Sequence, residues 1–371
     1  MGNRQSIGVG GKEAPGFTRL SSDSLGKQAF AQYIDLACRS QGGRIVDVSD
    51  EFFATADNLL APGDAVSKPN TYTENGAWMD GWETRRHNPN HDWVIIKLGF
   101  AGSIAGFDID TGHFNGNQAP VAAIDACFVD EETLKQGGNI DFPWEEILPK
   151  VDLGPAAKHF FLFDVPTGVC NFVRLRIFPD GGVGRLRVYG AVRPVWPLTA
   201  GKQLLDLAFV GNGGRVVACS DQHYTPASNL TLPGRGQNMG DGWETKRSRV
   251  ASHCDWSIIR LGNAGRLEKC EIDTHHYKGN YPESVELDAC YSILDDPSTD
   301  PECAWFQILP RQKMSAHQQH HFSLDLRDRV FTHVRMTIYP DGGVMRLRVY
   351  GRPVFDEDLA AAGKLGACLF E

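Results

Sequence analysis

The chain contains 371 residues, of which 42% are hydrophobic and 22% charged, the composition of a folded globular protein with room for two domains. Its net charge of -9 excludes the excess of lysine and arginine that binding to a nucleic-acid backbone requires. No run approaches the roughly 20 apolar residues of a membrane-spanning helix, so integral membrane association is not expected.

The first 41 residues are predicted to form an N-terminal extension with a short helix over residues 25–38. Phe30, Ile34 and Cys38 are spaced four residues apart in this segment, which places them on one face of a helix. A second short helix is predicted over residues 203–210. Neither segment carries recognisable chemistry.

Short apolar runs broken by turn residues follow the extension, a pattern typical of a β-sandwich or barrel. Candidate strands span residues 93–98, 105–109 and 121–126, and the first of them recurs at residues 256–261. The 40 glycines are spread along the chain, as expected for a fold with many tight turns. The predicted fold class is therefore all-β, with antiparallel β-sandwich domains.

The two halves of the chain repeat the same motifs in the same order. This predicts a first repeat over residues 42–192, a linker with a short helix over 193–212, a second repeat over 213–352 and a C-terminal tail over 353–371. The matching motifs are Gly42-Gly43-Arg44 with Gly213-Gly214-Arg215, Asp80-Gly81-Trp82-Glu83-Thr84 with Asp241-Gly242-Trp243-Glu244-Thr245, and Pro179-Asp180-Gly181-Gly182 with Pro340-Asp341-Gly342-Gly343. Agreement of this length indicates a duplicated domain.

Each repeat ends in two runs in which apolar and basic residues alternate, residues 173–177 and 185–189 in the first copy. Alternation with period two places apolar side chains on one face of a strand and arginines on the other. The Pro-Asp-Gly-Gly segment between the runs supplies residues suited to a tight turn. The pattern predicts a C-terminal hairpin that closes each domain.

The repeated Asp-Gly-Trp-Glu-Thr loop carries two carboxylates beside a large aromatic side chain and a cation. Such carboxylates can transfer protons or accept hydrogen bonds from N–H groups, and an arginine can bind a carboxylate through its planar fork. The same loop also fits a structural turn anchored by tryptophan, with a surface ion pair. The candidate residues are Asp80, Glu83 and Arg86 in the first copy and Asp241, Glu244 and Arg247 in the second.

Three further pairs of polar residues recur in both copies. His113 and His276 follow an Asp-Thr pair at the end of a predicted strand, where an imidazole can exchange protons near neutral pH. Asn117 and Asn280 are candidate substrate contacts or turn residues. Arg174 and Arg335 point away from the apolar face of their strands and are candidates for carboxylate binding or for solvated surface positions.

The sequence predicts neither a metal nor another cofactor. It lacks HExxH, CxxC and EF-hand patterns, a GxSxG nucleophile elbow and a glycine-rich phosphate loop. Water is therefore the expected nucleophile in any hydrolysis. The nine cysteines without a CxxC pair indicate reduced thiols, which favours a cytoplasmic location, with a peroxisomal one left open.

Taken together, these motifs resemble those of the allantoicase family. The resemblance is carried by the Asp-Gly-Trp-Glu-Thr loops, the Asp-Thr and Gly-Asn pairs around His113 and His276, the segment Leu232 to Gly236 and the Pro-Asp-Gly-Gly turns. It extends from about Gly42 to Gly351. The closing Arg-Leu-Arg-Val-Tyr-Gly run by itself resembles galactose-binding-like, discoidin-type jelly rolls.

The resemblance implies two tandem jelly rolls and a hydrolase that converts allantoate and water to ureidoglycolate and urea. It also implies self-association into a homo-oligomer. In this interpretation Glu83 or His113 is the acid or base, Asp80 and Asn117 bind the ureido groups, and Arg86 or Arg174 binds the carboxylate. The second copy would use Glu244, His276, Asp241, Asn280, Arg247 and Arg335 in the same roles. The alternative function is a non-catalytic module on the same fold that binds a small ligand or a carbohydrate.

Overall fold

The computed structural model describes residues 15–21, 23–136, 142–194, 196, 199–250 and 252–355. The chain divides into two compact units, Met1–Arg193 and Pro194–Glu371. Within the described residues, no helix has the length and apolar character needed to cross a membrane.

The first unit consists mainly of strands. Its α-helices are α1 (Asp23–Phe30) and α2 (Glu131–Gln136), and its 3-10 helices span Arg39–Gln41 and Ala56–Leu60. Its strands are β1 (Phe17–Leu20), β2 (Ile34–Asp35), β3 (Arg44–Val48), β4 (Tyr72–Thr73), β5 (Gly76–Ala77), β6 (Trp82–Glu83), β7 (Asp92–Asp110), β8 (Val121–Cys127), β9 (Glu145–Asp152), β10 (Lys158–Phe163), β11 (Val169–Phe178), β12 (Gly182–Val183) and β13 (Arg185–Val192).

The long strand β7 belongs to both layers of an antiparallel sandwich. Its first half pairs with β3 and β11, and β8 and β9 extend that layer. Its second half pairs with β10 and β13, which pair in turn with β1 and β2. Apolar side chains from both layers, including Ile96, Phe107, Leu175 and Leu186, form one buried core. Burial of each such side chain contributes about 1.5–3 kcal/mol, and the predicted all-β sandwich is confirmed.

The predicted strands 93–98 and 105–109 are one continuous strand rather than two. The backbone stays extended through the glycine-containing segment between them. Its glycines allow neighbouring chain segments to approach closely: a Cβ atom at Gly99 would lie 2.3 Å from the carbonyl oxygen of Gln41. The glycines therefore mark the passage of β7 from one layer to the other.

The predicted C-terminal hairpin is wrong, because β11 and β13 do not pair with each other. β11 pairs with β7 and β8, whereas β13 pairs with β7 and β2. The segment between them begins with a cis Phe178-Pro179 peptide bond and contains β12, which pairs with β6. Alternation predicts which face of a strand is buried, but it does not specify which strand it pairs with. Here the turn connects the two layers and holds the short strand β6 in place.

The arginines of β13 face away from the core as predicted, but they are buried. Arg185 is only 3% exposed, and its guanidinium donates to the carboxylate of Asp80 at 2.8 Å. Arg187 donates to the carbonyl oxygen of Ala61 at 2.7 Å. These bonds attach the loops around residues 61–66 and 80 to the sheet.

The N-terminal extension packs on the first unit, and its helix is shorter than predicted. Helix α1 ends at Phe30, whose ring stacks on Tyr189 with centroids 4.4 Å apart. Strand β2 follows, because Ile34 and Asp35 pair with β13 and the Asp35 carboxylate accepts from the backbone N–H groups of Ala37 and Val188. These tertiary bonds override the helical spacing of the apolar residues.

The second unit repeats the architecture of the first. Its strands are β14 (Leu205–Asp206), β15 (Arg215–Cys219), β16 (Trp243–Glu244), β17 (Asp255–Asp273), β18 (Ser284–Cys290), β19 (Phe306–Lys313), β20 (Gln319–Ser323), β21 (Phe331–Tyr339), β22 (Gly343–Val344) and β23 (Arg346–Pro353). Its 3-10 helices span Ala200–Lys202, Val210–Asn212, Ala227–Thr231, Met239–Asp241 and Pro297–Thr299.

Strand β17 has the role of β7. It pairs with β15 and β21 through its first half and with β20 and β23 through its second. The predicted helix over residues 203–210 is absent from this described segment, where Leu205 and Asp206 pair with β23 between two 3-10 turns. Of the predicted C-terminal tail, residues 356–371 lie outside the described part of the chain.

Candidate active site

Glu83 lies on the two-residue strand β6, next to a fully buried tryptophan. The indole of Trp82 donates to the carbonyl oxygen of Asp50 at 2.8 Å. Successive side chains of a strand point to opposite faces, so the anchored indole directs Glu83 away from the core. Glu83 is nevertheless only 7% exposed, because neighbouring loops cover it.

The Glu83 carboxylate is bound by two of the residues that the sequence predicts for the site. Its Oε1 accepts from the side-chain amide of Asn117 at 3.0 Å and from the guanidinium of Arg86 at 3.3 Å. Burial raises the pKa of Glu83, while the bonds from Asn117 and Arg86 oppose that rise. A carboxyl group with a raised pKa is suited to proton transfer nearer neutral pH.

Arg86 connects Glu83 to Asp180, a residue that the sequence analysis missed. Its guanidinium lies 3.3 Å from the Asp180 carboxylate and donates to the carbonyl oxygen of Asn117 at 3.1 Å. The sequence predicts a turn at the Pro-Asp-Gly-Gly segment, and the recurrence of its aspartate in both copies is a signal of a further role. Glu83, Arg86, Asn117 and Asp180 are called the Glu83 cluster below.

Asp80 lies in the same loop as Glu83 but binds other partners. Its carboxylate accepts from Arg185 and from the backbone N–H of Val66, both at 2.8 Å. Burial acts to raise the pKa of Asp80, but the bonds from Arg185 and Val66 outweigh it and lower the pKa. Asp80 therefore attaches two loops to the sheet through its Oδ2, and its contact with ureido groups stays a prediction.

His113 lies beside a cavity of about 870 Å³ that is also lined by Asp110 and Lys158. Its Nε2 lies 3.0 Å from the carbonyl oxygen of Ala65. Its backbone φ of 68° is in the left-handed region, which is unfavourable for a residue with a side chain. No hydrogen bond joins His113 to the Glu83 cluster within the described residues.

Arg174 occupies a different surface, on the outward face of β11. Its guanidinium forms a salt bridge of 2.7 Å with Asp125 and lies 4.9 Å from the ring centre of Trp144. Asp125 is 4% exposed at its side chain, so the arginine neutralises a buried charge. Of the two arginines predicted for carboxylate binding, Arg86 belongs to the Glu83 cluster, whereas Arg174 bonds none of its members within the described residues.

The second unit reproduces part of this arrangement. Asn280 donates to the Glu244 carboxylate at 2.6 Å, as Asn117 does to Glu83. Arg247 differs from Arg86: it is exposed and, in the part of the chain that the structure describes, bonds neither Glu244 nor Asp341. Asp341 accepts from the backbone N–H of Ser248 at 2.7 Å, as Asp180 does from that of Asn88 at 3.1 Å. Among the described residues, the guanidinium contact is therefore present in the first unit and missing in the second.

The remaining predicted residues of the second unit share some contacts with their counterparts and differ in others. Asp241 accepts from the backbone N–H groups of Gln237 and Asn238. Arg335 pairs with Asp288 at 2.9 Å and lies over the ring of Trp305. His276, with a φ of 67°, adjoins the ring of His275.

Within the described residues, no group of three or more histidine, cysteine, aspartate or glutamate side chains is arranged to hold a metal ion.

The Glu83 cluster offers a proton acceptor, an amide donor and a guanidinium within contact of one another. These groups can bind an anionic, amide-rich molecule and move a proton to or from it. Fold and site together define a tandem jelly-roll protein with a candidate acid–base centre in its loops.

Comparison with known proteins identifies the family. A family model described as Allantoicase repeat matches residues 34–193 and 205–354. The chain belongs to the allantoicase family. It is 48% identical to a probable allantoicase of Schizosaccharomyces pombe over 90% of this chain and 97% of the relative. It is 43% identical to an allantoicase of Neurospora crassa over 92% of this chain and 97% of that relative.

A solved structure shows the same architecture. The crystal structure of allantoicase from Saccharomyces cerevisiae superimposes with a TM-score of 0.76 at 37% identity, covering 90% of this chain and 99% of that one. The similarity spans both units, so the tandem arrangement is a property of this family.

Proposed function

We propose that the chain hydrolyses allantoate to ureidoglycolate and urea, and that the Glu83 cluster of the first repeat is the centre at which it does so. The Glu83 cluster is chosen as the site of the reaction because the Glu83 carboxylate is buried and accepts hydrogen bonds from Asn117 and Arg86. Urea release from allantoate by the purified chain tests the activity. Well-folded protein that releases no urea would contradict it.

Allantoate carries one carboxylate and two ureido groups on a single carbon, and hydrolysis breaks one carbon–nitrogen bond. The electron pair of that bond leaves with the urea nitrogen, which must take up a proton as it departs. Water supplies the hydroxyl group that replaces it on the carbon. The reaction therefore needs one group that removes a proton from water and one that gives a proton to urea.

Glu83 can perform both transfers in succession. Its Oε1 accepts the bonds from Asn117 and Arg86, whereas its Oε2 accepts none within the described residues and is left for water. The carboxylate first takes the proton of the attacking water and then returns it to the departing nitrogen. Arg86 binds the substrate carboxylate, and Asn117 binds a ureido oxygen through its amide.

The pH dependence of the rate reports on Glu83 as the base. Because its pKa is raised by burial, we expect kcat to fall with decreasing pH at values above the ordinary glutamate pKa of 4.5. Asn117→Ala removes a hydrogen bond that lowers this pKa, so the acidic limb of the profile should move to higher pH. Asn115→Ala, in the same exposed loop, should leave the limb in place. An unshifted limb in Asn117→Ala would exclude Glu83 as the titrating group.

Arg86→Lys tests the binding of the substrate carboxylate. Lysine keeps the charge but loses the planar fork, so we expect KM for allantoate to rise about tenfold, the effect of roughly 1.4 kcal/mol, with a smaller change in kcat. Arg85→Lys is the matched control, since Arg85 is 66% exposed at its side chain and pairs with Asp50. Equal KM values for the two variants would argue against this role.

We also propose that the chain works in the cytoplasm and associates with copies of itself. The cysteines within the described residues are all free thiols, which supports a reducing compartment. Self-association is implied by the resemblance to the family. The acidic net charge supports the absence of nucleic acid among its partners.

A further inference from the structure

The cavity beside His113 is lined by charged groups of both signs that the proposed catalytic step does not use. It has a volume of about 870 Å³ and opens between the N-terminal strand and the loops of the first unit. Its polar lining includes Arg19, Asp64, Asp110, His113, Lys158 and His159.

Two of these charges are positioned by the sheet. Lys158 pairs with Asp110 in register on adjacent strands, and its ammonium lies 2.5 Å from the Asp64 carboxylate. Asp110 is only 4% exposed and accepts from the backbone N–H of Gly112 at 2.6 Å. A Cβ atom at position 112 would lie 2.9 Å from the Asp110 carboxylate, so glycine keeps the space beside this carboxylate open.

The rim of the cavity contains two residues in the unfavourable left-handed region. His113 has a φ of 68° and Ala156 a φ of 48°. Strained residues of this kind often occur at ligand sites. A carbonyl oxygen can only accept, so Nε2 of His113 carries the proton that bonds Ala65, which leaves Nδ1 of the neutral ring as an acceptor.

The second repeat carries larger or oppositely charged side chains at the equivalent positions. Gly112 corresponds to His275 and Ala156 to His317, and these two imidazole rings stack with centroids 4.5 Å apart. Lys158 corresponds to Gln319, which pairs in register with Asp273.

A guanidinium also enters the counterpart of the cavity. Asp64 and Arg235 each follow a Pro-Gly pair, and Arg235 bonds both oxygens of the Asp273 carboxylate at 2.8 and 3.1 Å. Asp273, the counterpart of Asp110, is thereby neutralised and fully buried. In the second repeat the aspartate is therefore paired with an arginine, glutamine stands in place of the lysine, and two imidazoles occupy the space that is free in the first.

We infer that the cavity beside His113 binds a small molecule that combines a carboxylate with N–H donors, and that this site belongs to the first repeat and not the second. Lys158 receives the carboxylate, while Asp110 and Nδ1 of His113 accept from the N–H groups. The chemistry matches a ureido carboxylate such as allantoate, an identification that rests on the proposed function. The two repeats are then unequal in ligand binding despite their shared fold.

Calorimetric titration of the full chain with allantoate tests the inference, in a Glu83→Gln background so that ligand is not consumed. Lys158→Gln introduces the second-repeat residue with little change in volume, and we expect the Kd of the cavity site to rise at least tenfold. The double variant Gly112→His, Ala156→His transplants the two imidazoles, and we expect it to remove binding to the cavity while binding at the Glu83 cluster persists. His317→Ala in the second repeat is the control and should leave Kd unchanged.

The inference is overturned if both cavity variants, folded as judged by their thermal unfolding, bind allantoate within twofold of the parent. Lys158→Gln decides the question alone if the double variant does not fold. Should Glu83→Gln still release urea at the unaltered rate, the proposed centre fails independently. The cavity is then tested by calorimetric titration of the same variants with a ureido carboxylate that lacks the second ureido group and so cannot release urea in this reaction, where a tenfold rise in the Kd of the cavity site supports the inference and an unchanged Kd contradicts it.

Discussion

Replacement of Glu83 by glutamine is expected to lower kcat for urea release about 10²- to 10⁴-fold, the usual contribution of a general acid–base group. Glutamine has the same shape and can still accept from Asn117, but it cannot take a proton from water. KM should change less, because Arg86 and Asn117 remain in place. Steady-state urea release measures both constants.

The thermal stability of the Glu83→Gln variant shows whether a loss of activity comes from the missing proton acceptor or from a destabilised fold. The pKa of Glu83 is raised in the folded protein, chiefly by burial. A carboxyl group of this kind binds its proton more tightly when folded, so its ionisation above that pKa opposes folding. At neutral pH the neutral amide should therefore unfold at the same or a higher temperature than the natural chain.

Glu244→Gln is the matched variant in the second repeat. Glu244 shares the asparagine contact, but Arg247 does not reach it within the described residues. A smaller loss of kcat is therefore expected than for Glu83→Gln. A Glu83→Gln protein that keeps more than a tenth of the activity, or a greater loss in Glu244→Gln, would place the chemistry elsewhere.

Trp82→Ala is expected to destabilise the first unit by about 3–5 kcal/mol, the usual cost of removing a large buried aromatic side chain. Trp82 is fully buried, and its loss leaves a cavity and an unpaired carbonyl oxygen at Asp50. Denaturant titration measures the change in the free energy of unfolding. Activity should fall too, since the indole positions β6 and with it Glu83.

Two other tryptophans provide the comparison. Trp243 is the equivalent residue of the second unit, fully buried and bonded to the carbonyl oxygen of Asp221, so Trp243→Ala should cost a similar free energy. Trp78 is only partly buried and contacts Lys68, so Trp78→Ala should cost less than about 1 kcal/mol. Similar costs for Trp82→Ala and Trp78→Ala would contradict the anchoring role.

The comparison of the two units indicates how a duplicated domain can diverge without a change of fold. The cores and strand pairings are repeated, and so is the contact between glutamate and asparagine. Among the described residues, the differences lie in side chains at or near loop ends: Arg86 contacts Glu83 in the first unit only, and Lys158 lies beside Asp110 where the second unit has Gln319 beside Asp273. Loops tolerate such changes because few core contacts depend on them.

Several elements of the fold could be predicted because they depend on local pattern. The strand over residues 121–126 follows from its nearly continuous run of apolar residues, and the apolar face of residues 185–189 follows from alternation. The helix over residues 25–38 was too long because Ile34 and Asp35 form sheet bonds with a strand more than 150 residues later. The hairpin was wrong for a related reason, since local periodicity does not specify a strand's partner.

By itself the sequence determined that the protein is a duplicated all-β domain, which parts of it recur and which side chains carry candidate chemistry. These properties follow from residue order and from the period of two that a strand imposes. Only the tertiary structure decided that Glu83, Arg86, Asn117 and Asp180 meet, whereas Asp80 binds Arg185 and Arg174 binds Asp125. The physical reason is that a charged side chain is partnered by whatever opposite charge the fold brings within a few ångströms, and that proximity depends on sheet pairing between distant segments.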